Sequence, residues 1–384
     1  LTTAAKIVLT VTLVLSACMV PASVVHARTA DIVVGPEGCG DDGYVTDGVA
    51  DNVEIQAALT AASNGDVIQL CQGHYVYADD VTWTSDHMSV TLRGAGIGKT
   101  ILDGQYTWNL LAVYASSFNL TVESLTLKDS FGGWGSAVLL FDDGSPSSLT
   151  LDSVEVTGGR NPAWFNGGTV TVENGSITIQ KCRFEDNYAV TAGAVYASDA
   201  VSISNSTFKA NWSDLHGGAV WAHTVLIDSS TFEANRSFTE GGAVFAEGDA
   251  TISNSRFVNN SATEWGGALS LAENGVVGTS SVTNTTFSGN MAKQGGAIDS
   301  WGKRLILRGD TFSGNTAWGY GGAITRSGRT SRSDVGAGNR FTGNSSPKGS
   351  DVALYYRFDF TKSLALRDAR LWSRARVDIQ VVPW

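Results

Sequence analysis

Phe208-Lys209-Ala210-Asn211-Trp212-Ser213-Asp214-Leu215-His216-Gly217-Gly218-Ala219-Val220 is one copy of a motif that fills the second half of the chain. Two fixed points define it. Phe-x-x-Asn stands at Phe184/Asn187, Phe208/Asn211, Phe232/Asn235, Phe257/Asn260, Phe287/Asn290, Phe312/Asn315 and Phe341/Asn344. Gly-Gly-Ala-aliphatic begins at Gly217, Gly241, Gly266, Gly295 and Gly321. It is degraded to Ala192-Gly193-Ala194-Val195 in the first copy and to Lys348-Gly349-Ser350-Asp351 in the last. Alternating stretches such as Val201-Ser202-Ile203-Ser204 lie between the two.

A unit of about 25 residues with two or three short strands cannot bury its own apolar face. Stacking one unit per coil solves this, with each strand pairing its equivalent about 4.8 Å away. Like residues then pile up. The Phe predict an aromatic stack inside the tube, and the Asn an amide ladder at a turn, structural rather than catalytic. Gly-Gly predicts a sharp bend with positive φ. Thr121–Leu127 and Ser148–Val154 keep the alternation without Phe-x-x-Asn. The period predicts about eleven coils between 67 and 352, a tube of about 50 Å.

Composition agrees. With 42% hydrophobic residues among 384 a large core forms, and 44 Gly against 6 Pro exclude collagen. A net charge of −11 argues against nucleic acid as a partner, because phosphate binding needs a Lys/Arg excess.

Residues 1–27 read as a secretory signal: Lys6, then the apolar run Ile7–Val14, then small residues. Two processing routes fit. Leu15-Ser16-Ala17-Cys18 resembles a bacterial lipobox, which would lipidate Cys18; cleavage after Ala27 would release the chain. No second run of spanning length follows, so the mature chain is expected without a transmembrane segment, secreted or at the cell surface, and monomeric. Export means an oxidising compartment, in which Cys39 and Cys71 can pair. Cys182 reads as a small buried hydrophobe. Five scattered His and no C-x-x-C give no metal signature.

The ends of a tube need covers. Asp51 as N-cap and Glu54 at the capping-box position predict a helix from Val53 to Ser63, with Ile55, Ala58, Leu59 and Ala62 on its apolar face. From Arg326 to Arg376 the chain holds eleven of its 26 basic residues against four acids. That reads as a solvated tail, or as a patch for acidic glycans. The expected divisions are a signal (1–27, or to 17 by the lipoprotein route), a cap with a helix (28–66), the coils (67–352) and a basic C-terminal cap or tail (353–384).

Two resemblances follow from these residues. Ile55-Gln56-Ala57-Ala58-Leu59, Gly65-Asp66-Val67-Ile68-Gln69-Leu70, Gly73-His74-Tyr75, Leu92-Arg93-Gly94-Ala95-Gly96 and Thr100-Ile101-Leu102-Asp103-Gly104 resemble the opening of pectin-lyase-like proteins. Residues 184–352 resemble the repeats of chlamydial-type polymorphic outer-membrane proteins, which are surface adhesins; nothing after 352 is long enough for their C-terminal barrel. Both imply an all-β, right-handed parallel β-helix solenoid, here with an N-terminal capping helix.

The first resemblance also implies enzymes of acidic polysaccharides. Hydrolases pair carboxylates; lyases use a base and commonly Ca²⁺ on a carboxylate cluster. Asp142-Asp143 and His216-Gly217 match the hydrolases' short pieces, but Asp142-Asp143-Gly144 also reads as a turn and His216 as a variable loop residue. No carboxylate trio recurs at one coil spacing, so a cofactor is expected only as Ca²⁺ for a lyase. The loops between Asn and Gly-Gly carry Tyr188, Trp212, Arg236, Phe238, Trp265, Trp318 and Tyr320. Aligned along one side, these suit sugar rings or a host or cell-surface protein; the alternative is packing on the neighbouring coil. The sequence thus reads first as an exported, non-enzymatic glycan-binding or adhesive protein. A polysaccharide lyase or hydrolase, with its site on the coils near 90–180, is the second reading, and a structural surface spacer the third.

Overall fold

A computed structural model describes residues 31–39, 44–141, 144–162, 167–272, 278–302, 304–327, 333–335, 338–356 and 379–383. The signal with Cys18, the Asp142-Asp143 pair and most of the basic stretch past 356 lie outside them. The described chain is an all-β parallel solenoid of about ten turns, rather than eleven, with one short helix near its start. Strand pairings among the described residues are parallel, and along the coils they join equivalent residues of successive turns.

One coil explains the rest. Val220–Asp228 runs along the tube wall, Ser229 turns with φ 50°, and Thr231–Glu233 continues. Asn235 then turns the chain into the short strand Arg236–Ser237. Alternation decides what is inside: Val220, Ala222, Val225, Ile227 and Phe232 are buried, while His223, Leu226 and Glu233 are exposed. Ile68, Leu92, Val122, Leu151, Ile179, Ile203, Ile227, Ile252, Val282 and Leu307 occupy one such inward column.

Three ladders run along this core. Phe184, Phe208, Phe232, Phe257, Phe287, Phe312 and Phe341 stack with centroids 4.6 to 5.0 Å apart and planes within 9° of parallel. Each interior ring contributes about 2 kcal/mol by burial. In the Asn ladder both the backbone N–H and the side-chain amide of one Asn donate to Oδ1 of the next, at 3.0 and 2.9 Å for Asn211 to Asn235. The second amide hydrogen goes to a Phe carbonyl, as from Asn211 to Phe184 at 3.0 Å.

The Asn ladder breaks its pattern at its two ends. Asn187, Asn211, Asn235, Asn260, Asn290, Asn315 and Asn344 are all buried, so the amides at these turns lie sealed in the wall. Asn187 has no Asn before it. Its Oδ1 accepts from the Gly159 N–H at 3.0 Å, and its amide donates to the Val156 carbonyl, because Val156 stands where later coils carry Phe. Asn315 keeps the full pattern, donating to Asn344 Oδ1 from backbone and side chain and to the Phe287 carbonyl, all at 3.0 Å. Asn344 closes the run. With no Asn beyond it, its amide donates to Asp351 Oδ1 at 3.0 Å and to the Phe312 carbonyl at 3.1 Å. A carboxylate thus stands in for the missing amide rung.

The third ladder escaped the sequence reading. Two residues before each Phe, backbone N–H groups of Cys182, Ser206, Ser230, Ser255, Thr285 and Asp310 donate to the side chain of the next member, ending on Asn339. Cys182 Sγ in turn lies 3.4 Å from the Val154 N–H, and burial pushes its thiol up to about 12, so it is no nucleophile.

Asp310 is the one carboxyl in that column, fully buried. Burial pushes it up to about 7 against the lowering pull of the Thr285 and Arg308 N–H groups. Between about pH 4 and pH 7 the unfolded chain releases this proton while the folded chain keeps it, so stability falls as pH rises through that window. The loss levels off above pH 7 at about 4 kcal/mol. Asp310→Ser, which restores the hydroxyl of the other rungs, is expected to flatten the decline; urea titrations at the two ends of the window measure it.

The glycines divide their work. The first of each pair is left-handed, with φ between 52° and 63° at Gly217, Gly241, Gly266, Gly295 and Gly321. The second is not: a Cβ at Gly218, Gly242, Gly267, Gly296 or Gly322 would lie 2.0 to 2.1 Å from a carbonyl oxygen of the next coil.

The ends of the tube differ as well. Ile32–Pro36 already pairs in register with Val67–Leu70, so the winding starts before residue 67. Helix α1 spans Asn52–Ala61, not Val53–Ser63, and its Ile55, Ala58 and Leu59 are buried. Asp51 is no side-chain cap. Its carboxylate accepts from Gly48 and Val76 N–H groups, both at 2.8 Å, tying the helix start to the next coil instead. Arg326, counted above in a basic tail, is 1% exposed: it follows Ile324 by two in the strand Ile324–Ser327, and the period of two turns both inward. Cys39 and Cys71 form a disulfide. No helix among the described residues is long and apolar enough to cross a membrane.

Candidate active site

The early coils end in strands Gly73–Val76, Thr100–Asp103 and Asn119–Lys128. Tyr75, Leu102 and Leu127 fill the core, so alternation sends His74, Asp103 and Lys128 outward. Register then brings them together, since Val76, Asp103 and Lys128 occupy successive rungs. His74 Nε2 lies 2.9 Å from Asp103 Oδ2, and Lys128 Nζ lies 3.3 Å from the same oxygen. Lys128 Nζ is also 2.8 Å from Asp129 Oδ2. The Tyr106 hydroxyl lies near enough to Asp129 for that carboxylate to raise it. Five side chains from three coils thus gather in one cluster: His74, Asp103, Lys128, Asp129, Tyr106.

The turns that hold Tyr106 and Asp129 are strained. Gln105, Tyr106 and Asp129 have φ of 51°, 54° and 50°, unusual for residues with a Cβ. Gly158 makes room, because a Cβ there would stand 2.2 Å from Asp129 Oδ1 and 3.3 Å from the Tyr106 hydroxyl.

Exposure is layered. The Asp103 and Asp129 side chains are 8% and 14% exposed, those of His74 and Lys128 54% and 41%. The carboxylates lie beneath; the proton-bearing groups meet solvent. Burial alone would raise the Asp103 carboxyl, but the Gln105 N–H, His74 and Lys128 outweigh it and hold it below its ordinary value. The Asp129 carboxylate, foremost, raises both the Lys128 ammonium and the Tyr106 hydroxyl. Lys128 is therefore a fixed positive charge and Tyr106 a proton donor. His74 meets the Asp103 carboxylate through Nε2, which leaves its Nδ1 turned away from that carboxylate.

Arg160 borders this cluster, held by Asp186 at 3.1 Å. It opens an outward column: Arg160, Tyr188, Trp212 and Arg236 pair in register on a narrow second sheet. Tyr188 donates to Asp214 at 2.7 Å and lies 5.0 Å from Trp212. Trp265 and Tyr320 fall in another column, His216, Glu240, Trp265, Gln294, Tyr320 and Lys348. Phe238 and Trp318, both exposed, each follow the first column by two residues. His216 sits far along the tube from His74. Its Nδ1 is 2.9 Å from Glu240 Oε1 and its ring 4.8 Å from Phe245. Among the described residues no group of three or more His, Cys, Asp and Glu could hold a metal ion.

None of the five cluster residues was singled out for chemistry in the sequence. The readable signal was an outward Asp and Lys at matching strand positions one coil apart, with an outward His two residues off that register on the coil before.

Comparison with solved structures returns matches at low similarity. A PL6 alginate lyase in complex with a trisaccharide is 12% identical over 85% of each chain, with a TM-score of 0.45. A mannuronic acid specific polysaccharide family 6 lyase from human gut microbiota is 9% identical over 92% of this chain and 91% of that one, at 0.31. The A-module of a mannuronan C-5 epimerase from Azotobacter vinelandii is 16% identical over 78% and 96%, at 0.27. No curated relative matches the sequence. The model of the right handed beta helix region matches residues 111–328, more than half of the chain, and the protein belongs to that family.

Proposed function

We propose that the protein is a polysaccharide lyase that cleaves a uronate-bearing glycan over His74, Asp103, Lys128, Asp129 and Tyr106. One observation carries this reading: three exposed proton-bearing groups gather around two buried carboxylates in a single cluster. β-Elimination asks for those three parts. Lys128 pairs with the uronate carboxylate and acidifies the neighbouring C5–H. His74 Nδ1 takes that proton, and its electron pair forms the C4=C5 double bond as the C4–O bond breaks. The Tyr106 hydroxyl gives its proton to the departing oxygen; solvent then returns a proton to Tyr106 and removes one from His74. The Cys39–Cys71 disulfide supports an extracytoplasmic place of action.

Purified protein incubated with a panel of polyuronates is expected to generate the ultraviolet absorbance of the new double bond. His74→Ala and Lys128→Ala each lower the rate about 100-fold or more. New reducing ends without unsaturation would overturn the reading in favour of hydrolysis. Tight binding with no turnover would restore the non-catalytic glycan-binding or adhesive reading, which rests on the exposed aromatics of the narrow sheet.

A further inference from the structure

We infer that Arg160, Tyr188, Trp212 and Arg236 form a rail for an acidic polysaccharide laid parallel to the tube axis, leading away from the His74–Tyr106 cluster. The inference rests on the lyase reading for its starting point. The four residues occupy consecutive rungs, and their strand neighbours Asn161, Ala189, Ser213 and Ser237 are buried, so all four face outward. Phe131, 41% exposed, bridges to Arg160 and extends the column towards the cluster. Arg160 also lies close enough to Tyr106 for its charge to act on that hydroxyl. Rail and cluster are thus continuous.

The chemistry of the column selects the ligand. Trp212 is 46% exposed and braced against Tyr188, itself pinned by Asp214, so a fixed aromatic face awaits a sugar ring. Arg236 is exposed and forms no ion pair among the described residues, which leaves its planar fork for a carboxylate. Rungs repeat about every 4.8 Å, close to the rise of one sugar in an extended chain. A glycan along the axis meets one side chain per sugar, aromatic in the middle and cationic at either end.

The test uses the full chain carrying His74→Ala, to separate binding from turnover, and a polyuronate as the probe. Trp212→Ala and Arg236→Ala, each added to it, are expected to weaken polymer binding about tenfold. Met291→Ala, two rungs past Arg236 and 46% exposed, leaves it unchanged. In the active chain the same two substitutions raise KM for the polymer by a similar factor. Unchanged binding in both variants overturns the rail. Equal loss on an uncharged polymer with Arg236→Ala overturns its acidic specificity. Weakened polyuronate binding without unsaturated product upholds the rail while the lyase reading falls.

Discussion

Replacing Asn260 with alanine lowers the stability of the tube by about 5 kcal/mol. Its Oδ1 accepts from the Asn235 N–H and side-chain amide at 2.9 and 3.0 Å. Its Nδ2 donates to the Phe232 carbonyl at 2.9 Å and to Asn290 Oδ1 at 3.1 Å. Truncation strands two donors on Asn235 and the Phe232 carbonyl. Asn235 and Asn260 are fully buried, so water does not replace the lost partner. Each stranded group costs about 1–3 kcal/mol. Urea denaturation followed by tryptophan fluorescence measures the sum, and a loss below about 1 kcal/mol would contradict a dry amide ladder.

Gly242→Ala is expected to cost at least as much, enough to leave little folded protein. The new Cβ would sit 2.0 Å from the Gly267 carbonyl oxygen and 2.6 Å from Ser261 backbone atoms. Neither is a side chain that can swing aside. Relief requires prising two rungs apart, which breaks the bonds from Gly242 N–H to Gly266 and from Ala243 N–H to Ala268, both 3.0 Å. Gly314→Ala is the control. That glycine has φ 62° with nothing within 4 Å of the added carbon, so only the left-handed penalty of about 1–2 kcal/mol applies. Soluble yield and melting temperature of the two variants separate the effects; equal shifts would mean that rung contact is not what keeps Gly242 small.

The repeats made the winding legible, because a contact made once per coil writes the same residue into every copy. Phe and Asn announce themselves this way. What the repeat could not foretell is how a ladder stops: Asn187 borrows the Gly159 N–H and Asn344 the Asp351 carboxylate, partners outside the motif. The third ladder stayed hidden, since Cys182, Ser206, Thr285, Asp310 and Asn339 all accept the same N–H with different chemistry: position is kept and identity is not. Arg326 was misread because a tally of charge ignores which way a strand residue points. Asp51 was misread because its carboxylate found donors on another coil, a long-range choice invisible to a local capping pattern. The candidate site was the least legible part. His74, Asp103 and Lys128 come from coils of unequal length, and Tyr106 stands on a left-handed turn that no alternation anticipates. Short pieces such as Asp142-Asp143 and His216-Gly217 drew the eye, yet His216 lies elsewhere on the tube.

The Phe and Asn ladders hand the same groups from one rung to the next between Phe208 and Asn315. A whole turn can therefore be duplicated or deleted there, and the flanking rungs will rejoin with every stack and amide matched. Copy number is then free to drift in descent, setting how far the molecule reaches, while the irregular coils around His74 and Lys128 keep their chemistry untouched.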